Sequence, residues 1–306
     1  MHVLITGGTG LIGTALTTSL RADDHRVTVL SRKKSPQVPA GTAVVTWDAR
    51  TAEGWGDLVN GVDAIVNLAG ENLAGAGPVP ARWTESRKQL LRDSRLNAGH
   101  AVAQAIEGAD HPPRVLVQAS GVGYYGPSGD EPVDEGAPAG SDFLAKLAVD
   151  WEDSTRSVEE RGVRQVIIRT GAVLSTAGGA LPKLLLPYRL FVGGPVGTGR
   201  QFLPWIHIDD EVSAIRFLID QPEASGAFNL TAPGSVTNRQ FGEVVGRVLH
   251  RPSLLPVPEF VMRGLFGEVA TVVLEGQRAI PQRLQSLGYV FRFPELEGAL
   301  RNLVKG

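Results

Sequence analysis

Short apolar runs and longer amphipathic stretches take turns over the first half of the chain. The runs are 2–6 (HVLIT), 26–30 (RVTVL), 43–47 (AVVTW), 63–68 (DAIVNL), 114–119 (RVLVQA) and 164–169 (RQVIIR). Within each run apolar residues sit at successive positions rather than alternate ones. Such strands are buried on both faces, as in a parallel sheet covered by helices. Between them, 11–20, 84–107 and 141–161 carry helix-like spacing. The alternation predicts an α/β fold with a doubly wound parallel sheet. After residue 170 the pattern changes: Gly and Pro crowd into GGALPKLL and VGGPVGTGRQFLPW, and helix returns at 210–220 and 237–249. The stretch 251–260 (RPSLLPVPEF) looks like a linker into a small C-terminal segment. The expected division is a core over 1–170 and a substrate-side lobe with a C-terminal extension over 171–306, some later segments returning to the core.

Composition narrows the function classes. The 306 residues are 42% hydrophobic and 20% charged, as in an ordinary soluble globular protein. A net charge of −2 gives no electrostatic ground for binding nucleic acid or an anionic membrane. There is no cysteine, which removes disulfides, thiolate metal sites and a thiol nucleophile, and fits a reducing compartment. The N-terminal MHVLITGGTG lacks the basic and apolar regions of a signal peptide, and no apolar run is long enough to span a bilayer. A cytoplasmic protein with a small-molecule substrate is the expectation; homo-oligomerisation is left open.

The most informative stretch is LITGGTGLIG. It places Gly7, Thr9, Gly10, Leu11, Ile12 and Gly13 directly after a strand and at the opening of a helix. Glycines there permit a tight turn, close approach of backbone to a pyrophosphate, and close helix–strand packing; the helix N-terminus offers free N–H groups to phosphates. This makes the sheet domain Rossmann-type. An NAD site would carry an acid about 20 residues further on, to hold the ribose hydroxyls. Here the second strand ends in Ser31-Arg32-Lys33-Lys34. Arg32 can fork onto a 2′-phosphate and Ser31 can donate to it, so NADP(H) is the expected cofactor; the alternative is a solvated basic loop. Asp48 could accept from the adenine amino group or simply serve a surface turn. Leu68, Ala69 and Gly70, after the fourth strand, would line the adenosine and ribose.

Together TGGTGLIG, NLAG (67–70), YYG (124–126), Lys146 and WIHIDD (205–210) resemble the extended short-chain dehydrogenase/reductase superfamily. AGEN, RWTESRK, GVGYYG, RTGAVL, GGPVGTGRQFLPWIHIDD and the C-terminal LEGQRAIPQRLQSLGYVFRFPEL are similar to one branch of it. That branch holds the atypical, epimerase-like oxidoreductases also described as nucleoside-diphosphate-sugar epimerases or cell-division-inhibitor-like proteins. The likeness runs over essentially the whole chain. It implies that Arg95 and Thr170 border the phosphate–ribose and nicotinamide ends of the cofactor.

The superfamily's chemistry uses a Tyr as proton donor, a Lys four residues later, and a Ser or Thr that polarises the substrate oxygen. Alignment on YYG and Lys146 puts the Tyr at Asp142 and the Ser at Gly121. Only Lys146 is in place, with Ser120 one residue away. Asp142, Lys146 and Asp150 could instead form a charge ladder along one helix face. Replacements for the missing groups are Ser120, Tyr124, Tyr125 and His207, with Ser120, Tyr125 and Lys146 as the catalytic set; buried tyrosines also serve as core residues with a satisfied hydroxyl. No metal-ligand spacing accompanies His207. Two functions follow: an NADP(H)-dependent oxidoreductase or epimerase-like enzyme with a non-standard proton donor, or a cofactor-binding regulatory protein with little turnover.

Overall fold

The computed structural model describes residues 1–75, 77 and 79–305. Seven strands make one parallel sheet: β1 (His2–Thr6), β2 (Arg26–Ser31), β3 (Ala43–Thr46), β4 (Ala64–Asn67), β5 (Val115–Gly121), β6 (Arg164–Thr170) and β7 (Gly226–Leu230). Their order is β3-β2-β1-β4-β5-β6-β7. The direction of winding reverses between β1 and β4. At such a point the two flanking connections leave in opposite directions and open a crevice beyond the strand ends.

Successive side chains of a strand face opposite sides. Val3, Ile5, Val27, Val29, Val66 and Val117 pack on one face with α1 (Leu11–Ala22). Leu4, Leu30, Ile65 and Leu116 pack on the other with α2 (Glu85–Glu107). The expected α/β fold and its six early strands are therefore present. The seventh strand was not foreseen: GAFNL is short, opens on Gly226 and holds the buried polar Asn229.

The expected helix over 141–161 is two pieces. The α-helix α3 spans Phe143–Asp153, and a 3-10 turn spans Arg156–Arg161. Side chains at the junction compete with the helical ladder. Ser154 Oγ donates to the Trp151 carbonyl at 2.7 Å, and Thr155 Oγ1 accepts from Gln165 Nε2 at 2.8 Å.

Some later segments join the sheet. The α5 helix (Ile208–Asp220) joins the α1 face and β7 completes the sheet edge. A second core forms where α4 (Leu181–Arg189), α6 (Asn238–Leu249) and the C-terminal helix Leu296–Lys305 meet, around Leu185, Tyr188, Trp205, Phe241 and Leu300. The linker-like 251–260 is tied down: Leu254 N donates to Gly193 O at 3.0 Å and Val257 N to Pro195 O at 2.9 Å. Among the described residues no helix is long and apolar enough to cross a membrane.

One carboxylate docks the C-terminal segment. Asp210, in the first turn of α5 and 1% exposed, accepts from Arg292 N and Phe293 N, both at 2.8 Å, and from Tyr289 Oη at 3.3 Å. Asp210→Ala would leave two backbone donors without their partner, each costing about 1–3 kcal/mol. We expect a loss of at least about 2 kcal/mol in denaturant unfolding; an unchanged midpoint would show that the segment docks by other means.

Candidate functional site: a glycine turn facing a closed polar network

The turn between β1 and α1 has an inner and an outer side. A Cβ on Gly7 (φ +65°) would lie 2.6 Å from the Leu68 carbonyl oxygen, and one on Gly8 2.6 Å from Val29 Cγ2. A Cβ on Gly13 would strike the Gly7 carbonyl and sit 2.6 Å from Gly8 Cα. These glycines let backbone pass backbone. Gly10 differs: its Cβ would meet only the Gly7 oxygen, at 3.3 Å, and otherwise enter open space. Gly10 is also the N-cap of α1, so no side chain caps the helix and no acid occupies its first turn. The N–H groups of Leu11, Ile12 and Gly13 open the helix with no intrahelical acceptor, and Thr9 beside them is exposed. These features fit the diphosphate of a dinucleotide.

The neighbouring loops are laid out accordingly. Ser31 ends β2; its hydroxyl accepts from Lys33 N at 3.1 Å, leaving its own hydrogen free to donate. Arg32 is exposed. Asp48 is engaged locally: it accepts from Arg50 N at 2.7 Å and Thr51 N at 2.9 Å, and these bonds hold its carboxyl below the usual range. The surface-turn alternative thus describes its present contacts. After β4, Ala69 N donates to Thr6 Oγ1 at 3.2 Å, and Thr6, Asn67 and Gln118 link three strands by side-chain hydrogen bonds. Arg95 comes up from α2 against Gly70, whose Cβ would lie 3.3 Å from its Cζ, and its guanidinium stands 4.8 Å from the Trp151 ring. Burial pulls Arg95 down to about 10, and its one hydrogen-bond acceptor among the described residues is the Leu91 carbonyl, at 2.9 Å.

The hydroxyls named as catalytic candidates point elsewhere. Ser120 Oγ donates to Glu152 Oε1 at 2.7 Å. Glu152 is gripped from the other side by Arg169, with Nε–Oε1 and Nη2–Oε2 both 2.9 Å. Arg169 Nη1 also donates to Tyr125 Oη at 3.1 Å, and Tyr125 Oη donates to Asn229 Oδ1 at 2.7 Å. Burial pushes the Tyr125 phenol up to about 12, against the opposing pull of Arg169. Tyr124 lies under the same guanidinium, 3.3 Å from its centre. His207 caps α5, accepting from Asp209 N at 3.0 Å, and stacks on Phe293 at 3.9 Å. Every one of these groups has a structural partner. No cluster of metal-ligating side chains occurs among the described residues.

Asp142 is the N-cap of α3: its carboxylate accepts from Ala145 N at 2.7 Å. Asp150 pairs with Arg92 of α2. The charge ladder through Lys146 is therefore not formed, and Lys146 is exposed with no ion-pair partner among the described residues. Thr170, at the end of β6, lies in register beside Gly121 and donates to Glu211 Oε1 at 2.9 Å.

The sequence model for the NAD dependent epimerase/dehydratase family matches residues 3–231. The chain belongs to that family. A domain of unknown function (DUF1731) matches residues 257–303, the docked C-terminal segment. Epimerase family protein SDR39U1 of mouse is 41% identical over 99% of this chain and 100% of its own length. A Mycobacterium tuberculosis epimerase family protein, MT2273, is 42% identical over 97% of this chain and 96% of its own. The crystal structure of human SDR39U1 with NADPH superposes with a TM-score of 0.89 at 40% identity, covering 100% of both chains.

At Asp142, where the sequence reading put the superfamily's tyrosine, the structure has a helix cap. Reading the sequence missed Glu152, Arg169, Asn229 and Glu211. Arg169 and Asn229 interrupt strand runs with polar side chains, which was the available signal; Glu211 lay unremarked directly after WIHIDD. Asp142→Ala should cost about 1 kcal/mol, the usual value of an N-cap, while Asp142→Ser or Asn should restore most of it. Thermal unfolding of the three variants checks this; equal midpoints for all of them would remove the capping role.

Proposed function

We propose that the chain is an NADP(H)-dependent oxidoreductase or epimerase-like enzyme whose proton donor is not the tyrosine of its superfamily. The observation that carries this reading is the cradle at Gly10, an open space at an uncapped helix N-terminus. Ser31 and Arg32, at the end of β2, would hold the 2′-phosphate; Arg95 would face the phosphate–ribose, and Lys146 the nicotinamide ribose. NADPH in the crystal structure of human SDR39U1 supports the same choice of cofactor. When bound, the nicotinamide supplies or accepts a hydride. The chain's own residues then have to orient a small polar substrate and manage one proton. Loops carrying Arg82, Trp83, Arg200 and Gln201 are candidates for roofing that substrate.

A second reading has an observation of its own. Ser120 and Tyr125 are locked into the Glu152–Arg169 network and Asp142 is used as a cap. This favours a nucleotide-binding protein with little turnover. NADPH absorbance in the presence of carbonyl or nucleotide-sugar substrates separates the two.

Two titrations test the cofactor assignment. NADP(H) should bind more tightly than NAD(H), by roughly 10- to 100-fold for a charge-assisted contact of about 1.5–3 kcal/mol. Arg32→Ala should abolish most of that preference; equal dissociation constants in the unaltered protein would refute it. Lys146→Ala should weaken NADPH binding by roughly 10-fold with little effect on turnover at saturation, because a ribose contact is the same in ground and transition states. Unchanged affinity would return Lys146 to the solvated helix face.

A further inference from the structure

Glu211 is a carboxyl group with no exposed surface and, among the described residues, no cation beside it. Its Oε1 is 2.9 Å from Thr170 Oγ1, while its Oε2 is buried without a partner among the described residues. We propose that Thr170 and Glu211 form the hydroxyl–carboxyl pair that holds a proton at the nicotinamide end of the site and passes it to a substrate oxygen. This rests on the cofactor reading above.

Register places the pair. Thr170 stands opposite Gly121 in the β5–β6 ladder, so the two positions present their side chains to the same sheet face. Gly121 is where the superfamily's serine would fall, and a Cβ there would have nothing nearer than the Thr170 carbonyl oxygen, at 3.7 Å. The Thr170 hydroxyl thus sits one strand over from the missing serine. Ser120, its neighbour in sequence, points to the opposite face and into Glu152.

The carboxyl behind Thr170 has the surroundings of a neutral acid. Among the described residues, Glu211 is bonded by Thr170 from β6 and its charge acts on Tyr289 from the C-terminal segment. Neither is a cation. Burial raises the Glu211 carboxyl to about 8, and the Thr170 hydrogen bond opposes the rise. At neutral pH a proton on Oε1 can be donated to Thr170 Oγ1, which frees the hydroxyl hydrogen for the cleft. Thr170 Oγ1 gives its hydrogen to the substrate oxygen as it takes the proton from Glu211. One O–H bond breaks at Glu211 and one forms on the substrate, and Thr170 ends as it began. Glu211 is left as a carboxylate that accepts from Thr170 across the same hydrogen bond. The reductant that makes the substrate oxygen basic is the reduced nicotinamide.

Infrared titration of the ligand-free protein tests the pair directly. A protonated-carboxyl C=O band should persist at neutral pH, titrate near pH 8 and vanish in Glu211→Gln. Glu135, another carboxyl pushed up by burial, is distinguished by Glu135→Gln, which should leave the band in place. Thr170→Val removes a bond to the charged form and should move the titration to higher pH. A band indifferent to Glu211→Gln, or a titration unmoved by Thr170→Val, overturns the proposal; the second variant suffices if the first does not fold. Calorimetry in buffers of different ionisation enthalpy ties the pair to the site. NADPH binding at pH 8 should take up a fraction of a proton, lost in Glu211→Gln. Tight NADPH binding with no uptake detaches Glu211 from the site and overturns the proposal. Failure of NADPH to bind at all would refute the cofactor reading instead, and the infrared result would then judge the pair alone.

Discussion

The ion pair between Arg169 and Glu152 constrains everything built around the carboxyl ends of β5, β6 and β7. Both side chains are under 10% exposed, and two charges taken out of water are stable only when geometry and hydrogen bonding are nearly complete. The structure supplies that completeness from several elements. Glu152 comes from α3 and Arg169 from β6; Ser120 of β5 gives the carboxylate a third bond, and Tyr125, after β5, takes a guanidinium hydrogen. Asn229 of β7 closes the chain of bonds and passes it to the Ile280 carbonyl of the C-terminal segment. Withdrawing Ser120 or Tyr125 for proton transfer would leave a buried charge short of a partner. The residues that look most catalytic in the sequence are therefore the ones least free to act.

The glycine turn shows the complementary situation. Gly7, Gly8 and Gly13 answer to the protein's own backbone and side chains, because each would collide with a fixed neighbour if it carried a Cβ. Gly10 answers to nothing inside the chain beyond one carbonyl oxygen. A glycine whose own fold does not demand it, placed at an uncapped helix N-terminus, is a residue whose constraint comes from a ligand. The same logic applies to Arg95, a buried guanidinium with a single carbonyl acceptor and a depressed pKa. Both lie at the edges of the crevice where the sheet reverses its winding.

These contrasts explain what could be read from the residues. The doubly buried runs, the glycine turn and the lack of an acid after β2 are local signals, and they led to the sheet and the cofactor cradle. The seventh strand escaped because GAFNL carries its constraint in a long-range contact: Asn229 is buried only because Tyr125 and Ile280 come to meet it. The split of the 141–161 helix escaped for a similar reason, since Thr155 is drawn out of helical geometry by Gln165 of β6. The fate of Ser120 depended on strand parity, which a motif aligned by spacing does not respect. A shift of one residue along a strand is a change of face.

Asp142 brings these arguments to one position. A residue four before the lysine must, in the superfamily's usual arrangement, carry a proton at neutral pH. An N-cap must do the reverse, because its oxygen accepts from the helix N–H groups and is best as an anion near the positive end of the helix dipole. The same side chain cannot meet both demands, and here the helix has taken it. With Asp142 so used, Lys146 has no phenol four residues before it and, among the described residues, no carboxylate to pair with, since Asp150 is held by Arg92. A lysine so released is free to bind but has no acid to activate. If the chain does move a proton, the group must lie on a different element and have its own means of staying protonated. Among the described residues, burial without a compensating cation supplies that means at Glu211, behind the strand-end hydroxyl of Thr170 that pairs in register with Gly121.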